Sequence, residues 1–183
     1  MENQLKERRL PVVWLGAALV IVVAAILLYL AFGRVERIPG LLLYQDVGRG
    51  HASDVTFADT GLPPAGGRHL DTWLNCGVYA EPVETGQAVH SLEHGAVWIT
   101  YRPDLSADQV EALRERVREA EYLILSPYPG QGSPIVLTAW AVQLEVDGTD
   151  DPRLDDFIVQ YQQGPTAPEL GAACSNGAGE PLF

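Results

Sequence analysis

The chain has 183 residues, enough for one globular domain with an appendage and too few for two ordinary domains. Hydrophobic residues make up 47% and charged residues 20%, with a net charge of −12 from 12 basic and 24 acidic side chains. That acidity excludes nucleic acid as the main partner, because phosphate binding needs clustered Lys and Arg, and the apolar content excludes wholesale disorder despite 18 Gly and 13 Pro.

The first element in chain order is Pro11 to Gly33, 23 residues without a charge. As a helix rising ~1.5 Å per residue it would be ~35 Å long, enough to cross a hydrocarbon core of ~30 Å. Trp14 and Tyr29 lie near its ends, where amphipathic rings favour the headgroup region. A buried core helix seldom runs this long without a polar face. A cleaved signal peptide has a shorter apolar region, so an uncleaved signal anchor is expected. Lys6, Arg8 and Arg9 before the run, against Arg34 and Arg37 after it, bias the N-terminus slightly towards the cytoplasm.

The expected layout is a cytoplasmic N-terminus (1–10), a transmembrane helix (11–33), a linker (34–46), an extracytoplasmic globular domain (47–174) and a flexible tail (175–183). Residues 1–37 hold 5 of the basic and 3 of the acidic side chains, so the remainder carries 7 and 21, a net charge of −14, with no Lys. Cys76 and Cys174 are the two cysteines, and in an oxidising compartment two cysteines on one domain most often pair. Ligation of a metal by a lone thiolate is the alternative.

Residues 38–89 read as loop-rich, with short strands at Leu41 to Tyr44 and Val55 to Phe57. Ala96 to Tyr101 is a strand by its β-branched and aromatic content. Ser106 and Gln109 form a capping box ahead of a helix whose apolar stripe is Val110, Leu113, Val117 and Ala120. Tyr122 to Leu125 reads as a strand, Pro134 to Val146 as one longer strand, and Leu154, Phe157, Ile158 and Tyr161 as the face of a last amphipathic helix. The fold class is therefore α+β: a sheet with two amphipathic helices against one face, and a loop-rich half containing the histidines.

All four histidines, His51, His69, His90 and His94, fall within 44 residues. His90 and His94 are four apart, so on a helical turn their rings are neighbours and can share an ion. Gly95 and the strand after it imply a single turn there. Two imidazoles are too few for a tight site, so His69 is expected as a third ligand, with His51 or Glu93 assisting. The ion would be copper or zinc; nitrogen-rich sites favour Cu(II), but sequence does not select the metal. The competing account is a hydrogen-bonded network in which imidazoles brace loop carbonyls. Ser91, beside both histidines, is a weak hint of a nucleophile. The string His90-Ser91-Leu92-Glu93-His94 also fits the H-x-x-E-H pattern of inverted zinc peptidases, with Glu169 downstream. Those enzymes carry the motif on a long helix, whereas Glu169 falls in a Pro/Gly-rich tail, so a metal-dependent hydrolase ranks third and no catalytic residue is assigned.

Gly61-Leu62-Pro63-Pro64-Ala65-Gly66-Gly67-Arg68-His69, Cys76-Gly77-Val78-Tyr79, Val89-His90-Ser91-Leu92-Glu93-His94-Gly95, Tyr101-Arg102-Pro103, Pro127-Tyr128-Pro129-Gly130 and Ile135 to Trp140 together resemble a bacterial family, domain of unknown function 3105. The resemblance spans roughly residues 47–174. It implies an N-terminal anchor in the bacterial cytoplasmic membrane and an exported domain, and brings no activity. The residues themselves support an extracytoplasmic protein that binds a transition metal through its histidines. The rival is an accessory or structural subunit of a membrane complex, in which the span packs on other helices and the histidines only brace loops.

Overall fold

The computed structural model describes residues 12–32, 37–118 and 120–183. The chain divides into two units, Met1–Arg37 and Ile38–Phe183. In the first, α1 (Val12–Phe32) is a 21-residue helix without acidic or basic residues at its ends. Several of its side chains, and residues 1–11 and 33–36, lie outside the described residues. Among the described residues no helix is long and apolar enough to cross a membrane. The span expected at 11–33 falls in part outside the described residues.

The second unit is built on one sheet of six strands. They are β1 (Leu42–Leu43), β2 (Gly77–Val78), β3 (Val97–Tyr101), β4 (Leu123–Pro127), β5 (Ile135–Ala139) and β6 (Val142–Val146), in the spatial order β1-β6-β5-β3-β4-β2. β3 runs parallel to β4, and β4 parallel to β2; the other pairings are antiparallel. The parallel pair β3–β4 needs a crossover, which α3 (Ala107–Arg118) supplies. The Ser106 hydroxyl accepts from the Gln109 N–H at 3.4 Å and starts this helix as expected. The last helix, α4 (Pro152–Tyr161), starts from Asp151, whose carboxylate accepts from the Arg153 N–H at 2.9 Å, with Pro152 in the first turn where its missing N–H costs nothing.

Side chains alternate across a strand, so every central strand serves two cores. Val97, Ile99, Leu123, Leu125, Ile135, Leu137, Val142 and Leu144 point to one face. There they bury Leu113 and Val117 of α3 and Leu154, Phe157 and Tyr161 of α4. Full burial of each large apolar side chain contributes roughly 1.5–3 kcal/mol. The opposite face presents Trp98 and Ile124 to Leu74, Ala88, Val89, Leu92 and Trp140. Ala88, Val89 and Leu92 belong to α2 (Thr85–Glu93), a nine-residue helix. Helices therefore cover both faces, not one as the sequence suggested.

Two elements differ from expectation for identifiable reasons. Residues 134–146 form a hairpin, not one strand, turning at Trp140-Ala141. Ala141 adopts φ 62°, a left-handed conformation that usually calls for Gly or Asn. Its N–H donates to the Ala65 carbonyl at 2.6 Å, and its carbonyl accepts from the Tyr44 N–H at 3.0 Å, so distant loops hold the turn. Residues 90–95 are more than a single helical turn, because they end the fully folded α2, whose polar first turn (Thr85-Gly86-Gln87) hides its helical period. Val55 to Phe57 is not a strand.

The domain also extends beyond the boundaries drawn from sequence. Ile38 is buried and β1 pairs with β6, so much of the 34–46 linker is inside the fold. Residues 175–183, expected as a flexible tail, dock on the segment before α2. The Ala178 carbonyl accepts from the Asn75 N–H at 2.8 Å, the Ala178 N–H donates to the Trp73 carbonyl at 2.8 Å, and the Leu182 N–H donates to the Val78 carbonyl at 2.8 Å. The Arg118 guanidinium lies 4.4 Å from the Phe183 ring. Backbone polar groups of a loop need such partners, and a Pro/Gly-rich composition does not reveal them. Truncation after Cys174 leaves these groups unpaired and is expected to lower stability by roughly 2–4 kcal/mol in urea unfolding. A loss below about 0.5 kcal/mol, within the range of neutral surface changes, would restore the flexible tail.

Candidate metal centre

Three segments converge beside α2. Glu84 caps the helix, its carboxylate accepting from the Gly86 N–H at 3.2 Å. At the other end the His94 N–H returns to the His90 carbonyl at 3.3 Å and the Gly95 N–H to the Leu92 carbonyl at 3.0 Å. Gly95 sits at φ 100°, where a Cβ would also run into the Gln163 side chain, so only glycine ends the helix this way. Gln163 caps the final carbonyls, its backbone N–H bonding the Gly95 carbonyl and its amide the His94 carbonyl, both at 2.8 Å. α2 is thus pinned at both ends, with His90, Glu93 and His94 buried.

His51 and His69 arrive on two extended loops that pair with one another. The Ala52 N–H donates to the His69 carbonyl at 2.8 Å and the His69 N–H to the Gly50 carbonyl at 3.2 Å. The histidines form a continuous group: ring centroids are 5.1 Å apart for His51 and His69, 4.7 Å for His51 and His90, 4.8 Å for His69 and His90, and 4.5 Å for His90 and His94. Trp140, in the hairpin turn, meets the His69 ring edge-on at 5.8 Å, and Trp73 stands against His90 and His94.

Each buried imidazole is oriented by one backbone carbonyl. His69 Nδ1 lies 2.8 Å from the Gly67 oxygen, His90 Nδ1 2.8 Å from the Leu70 oxygen, and His94 Nδ1 2.6 Å from the Ala173 oxygen. A carbonyl only accepts, so each Nδ1 carries a proton, and in the Nδ1–H tautomer each ring presents a lone pair at Nε2. This is the arrangement in which a protein holds an imidazole for a metal.

The electrostatics are sharpest at His69. Its Nε2 is fully buried and has no hydrogen-bond partner, although Glu93 Oε2 lies 2.9 Å away. With Nδ1 protonated, both atoms are acceptors, and two buried acceptors at that distance repel unless a proton or cation lies between them. The contact lacks hydrogen-bond geometry, so a proton alone serves it poorly. Glu93 is itself 3% exposed, with the Arg49 guanidinium 4.0 Å from its second oxygen.

The donor atoms fall into two overlapping groups, each within 4.8 Å: His51, His69, His90 and Glu93, and His90, His94 and Glu169. A His/Glu cluster able to hold a metal ion is therefore present. The arrangement differs from the predicted trio of His69, His90 and His94, because no group among the described residues contains both His69 and His94. They flank His90 on different sides. Glu169, discounted for its place in a Pro/Gly-rich segment, is brought in: its N–H donates to the Glu93 carbonyl at 2.9 Å and its Oε2 lies 3.8 Å from His94 Nε2. Its only sequence signal was the spacing from the H-x-x-E-H string. Cys76 and Cys174 lie at disulfide distance, with Cα atoms 5.3 Å apart, which ties the 164–174 segment to the loop before α2. Ser91 is fully buried, and its hydroxyl bonds the Leu74 N–H and carbonyl at 3.0 and 2.7 Å, so it joins two backbone segments and does not face the cluster.

Burial pushes His90 down to about 4; the Leu70 carbonyl opposes the shift, while the neighbouring His94, His69 and His51 reinforce it. A histidine with a lowered folded pKa contributes stability that is complete above its unfolded value of ~6.5 and is lost as pH falls towards the folded value. Glu93 and Glu169 are the carboxylates facing the same group. For the metal-free chain, urea midpoints are expected to decline between pH 6.5 and about 4, and a midpoint that rises on acidification would contradict this account.

No curated protein and no solved structure matches the chain. A family model described as a protein of unknown function (DUF3105) matches residues 51–176, which include all four histidines, Glu93, Glu169 and both cysteines. With most of the domain and every candidate ligand inside that match, the chain belongs to the DUF3105 family.

Proposed function

We propose that this protein is a single-pass, membrane-anchored protein of the bacterial cytoplasmic membrane whose extracytoplasmic domain binds a transition metal, copper or zinc, through its histidine cluster. The observation that carries the metal reading is the orphaned His69 Nε2 facing the Glu93 carboxylate at 2.9 Å. A bracing network accounts for the Nδ1–carbonyl bonds of His69, His90 and His94. It leaves unexplained why the buried His69 Nε2 faces a carboxylate without a hydrogen bond, with the rings of His51 and His90 gathered beside the same pair. A divalent cation between His69 Nε2 and Glu93 satisfies both facing acceptors at once. Imidazole nitrogens with one or two carboxylates suit Zn(II) and Cu(II) alike.

The membrane reading is supported by the uncharged run at 11–33 and its basic flanks. Residues 1–10 would then face the cytoplasm and residues 38–183 the exterior, where an oxidising compartment suits the cysteine pair. Association with other membrane subunits through the span is compatible with this role. In cell fractionation the full chain is expected to resist carbonate washing and require detergent for release; recovery in the soluble fraction would overturn the anchor.

Metal analysis of the untagged full chain in detergent tests the main claim. Zinc or copper is expected to co-purify or to bind after dialysis, in at least one equivalent. His90→Ala is expected to weaken binding by roughly 10–100-fold or more, since even supporting residues of a metal site have effects of that size. A stoichiometry near zero, unchanged by this substitution, would leave the histidines as structural braces.

A further inference from the structure

We infer that the cluster contains two cation positions, not one: an inner position formed by His51, His69 and Glu93, and an outer position formed by His90, His94 and Glu169. This rests on the metal-binding reading above and goes beyond it in assigning a second ion and its ligands.

The starting point is His90, the one residue common to both donor groups. Its Nδ1–H is committed to the Leu70 carbonyl, so a single lone pair remains, at Nε2, and it serves one ion at a time. If that lone pair completes the inner group, His94 and Glu169 are left as an unexplained pair. If it turns to the outer group, each ion receives two imidazoles and one carboxylate. Three protein ligands with open positions for water is the pattern of zinc sites that bind more than protein.

The outer trio has the marks of a built site. His94 is buried, and its Nδ1–H is held by the Ala173 carbonyl at 2.6 Å, so its Nε2 is aimed towards Glu169. Glu169 is positioned by its own N–H, bonded at 2.9 Å to the carbonyl of Glu93 on α2, which carries the histidines. The separation between His94 Nε2 and Glu169 Oε2, 3.8 Å, is too long for a hydrogen bond. Two ligand atoms each ~2.0–2.1 Å from one tetrahedral ion stand about 3.4 Å apart, so a small rotation of the half-exposed Glu169 side chain closes the difference. Three further contacts fix the strap that carries these atoms. Cys174 is at disulfide distance from Cys76, its carbonyl accepts from the Cys76 N–H at 2.7 Å, and the Ala172 carbonyl accepts from the Tyr122 hydroxyl at 3.0 Å.

Charge supports a second cation as well. The exported portion carries −14, and the described residues place only one guanidinium, that of Arg49, against the cluster carboxylates. The two carboxylates stand on different sides of the ring group, Glu93 beside His69 and Glu169 beside His94, so neither ion depends on the other's anion.

The test is zinc stoichiometry of the untagged full chain in detergent, by equilibrium dialysis and elemental analysis, alongside Glu169→Gln and His51→Ala. Both substituted side chains are solvent-exposed, so the fold is not at risk. The expected result is two equivalents for the wild type and one for each variant. With Cu(II) as the probe, the doubly loaded wild type is expected to show a spin-coupled or broadened electron paramagnetic resonance signal, and Glu169→Gln the signal of an isolated ion. One equivalent in the wild type, or two retained in Glu169→Gln, would overturn the second position while leaving metal binding intact. No binding by the wild type would remove the metal reading itself.

Discussion

The arrangement beside α2 depends on three hydrogen bonds from imidazole to main chain. His69, His90 and His94 each tie down a carbonyl, those of Gly67, Leu70 and Ala173, which belong to segments with little regular structure of their own. A buried carbonyl without a partner costs roughly 1–3 kcal/mol, so loops of this kind pack against a core only if something donates to them. The histidines are those donors. The same bond that satisfies a loop also fixes the tautomer of the ring, so bracing the loops and presenting Nε2 lone pairs are a single structural act.

The two faces of the sheet divide the remaining work. One is covered by α3 and α4 through an almost wholly apolar core. The other buries hydrogen-bonding side chains among its apolar ones. Thr100 donates to Gln131 at 2.6 Å, the Trp98 indole donates to Ser126 at 3.0 Å, and Gln143 donates to Thr138 at 2.9 Å and to the Pro63 carbonyl at 2.6 Å. These groups anchor the irregular layer that carries His69 to a rigid sheet. A site on loops gains precision when the loops are hydrogen-bonded to such a support.

What could be read from the residues follows the range of the forces involved. β3, α3, β4 and α4 were legible because composition, periodicity and caps are local: the β-branched and aromatic content of Ala96 to Tyr101, the Ser106 cap, and the stripe of Leu154, Phe157 and Tyr161. α2 was mostly missed because its helix is imposed by burial on a segment rich in polar residues, where intrinsic propensity is a weak guide. The hairpin at Trp140-Ala141 was missed because its turn is held by Ala65 and Tyr44, far away in sequence. At the site, His51, His69, His90, His94 and Glu93 were recognisable from their crowding, but not their division into two groups around His90. Glu169 and the docking of 175–183 depend on long-range main-chain hydrogen bonds that leave no local pattern.

The cysteine pair bears on the site through geometry as much as through stability. Closing a loop of 98 residues restricts the unfolded chain by the equivalent of ~4–5 kcal/mol on the chain-entropy account. A pairing almost anywhere between the same two segments would supply that. This one falls one residue after Ala173, whose carbonyl aims His94, and five after Glu169, whose N–H is bonded to Glu93. On the other strand of the link, Cys76 follows Asn75 and Leu74, where the 175–183 segment and Ser91 attach. The cross-link thus joins the two places at which irregular chain is fastened to α2. Its position also holds the Ala173 carbonyl beside His94 and the Glu169 N–H on Glu93, a geometric constraint that a purely entropic staple does not supply.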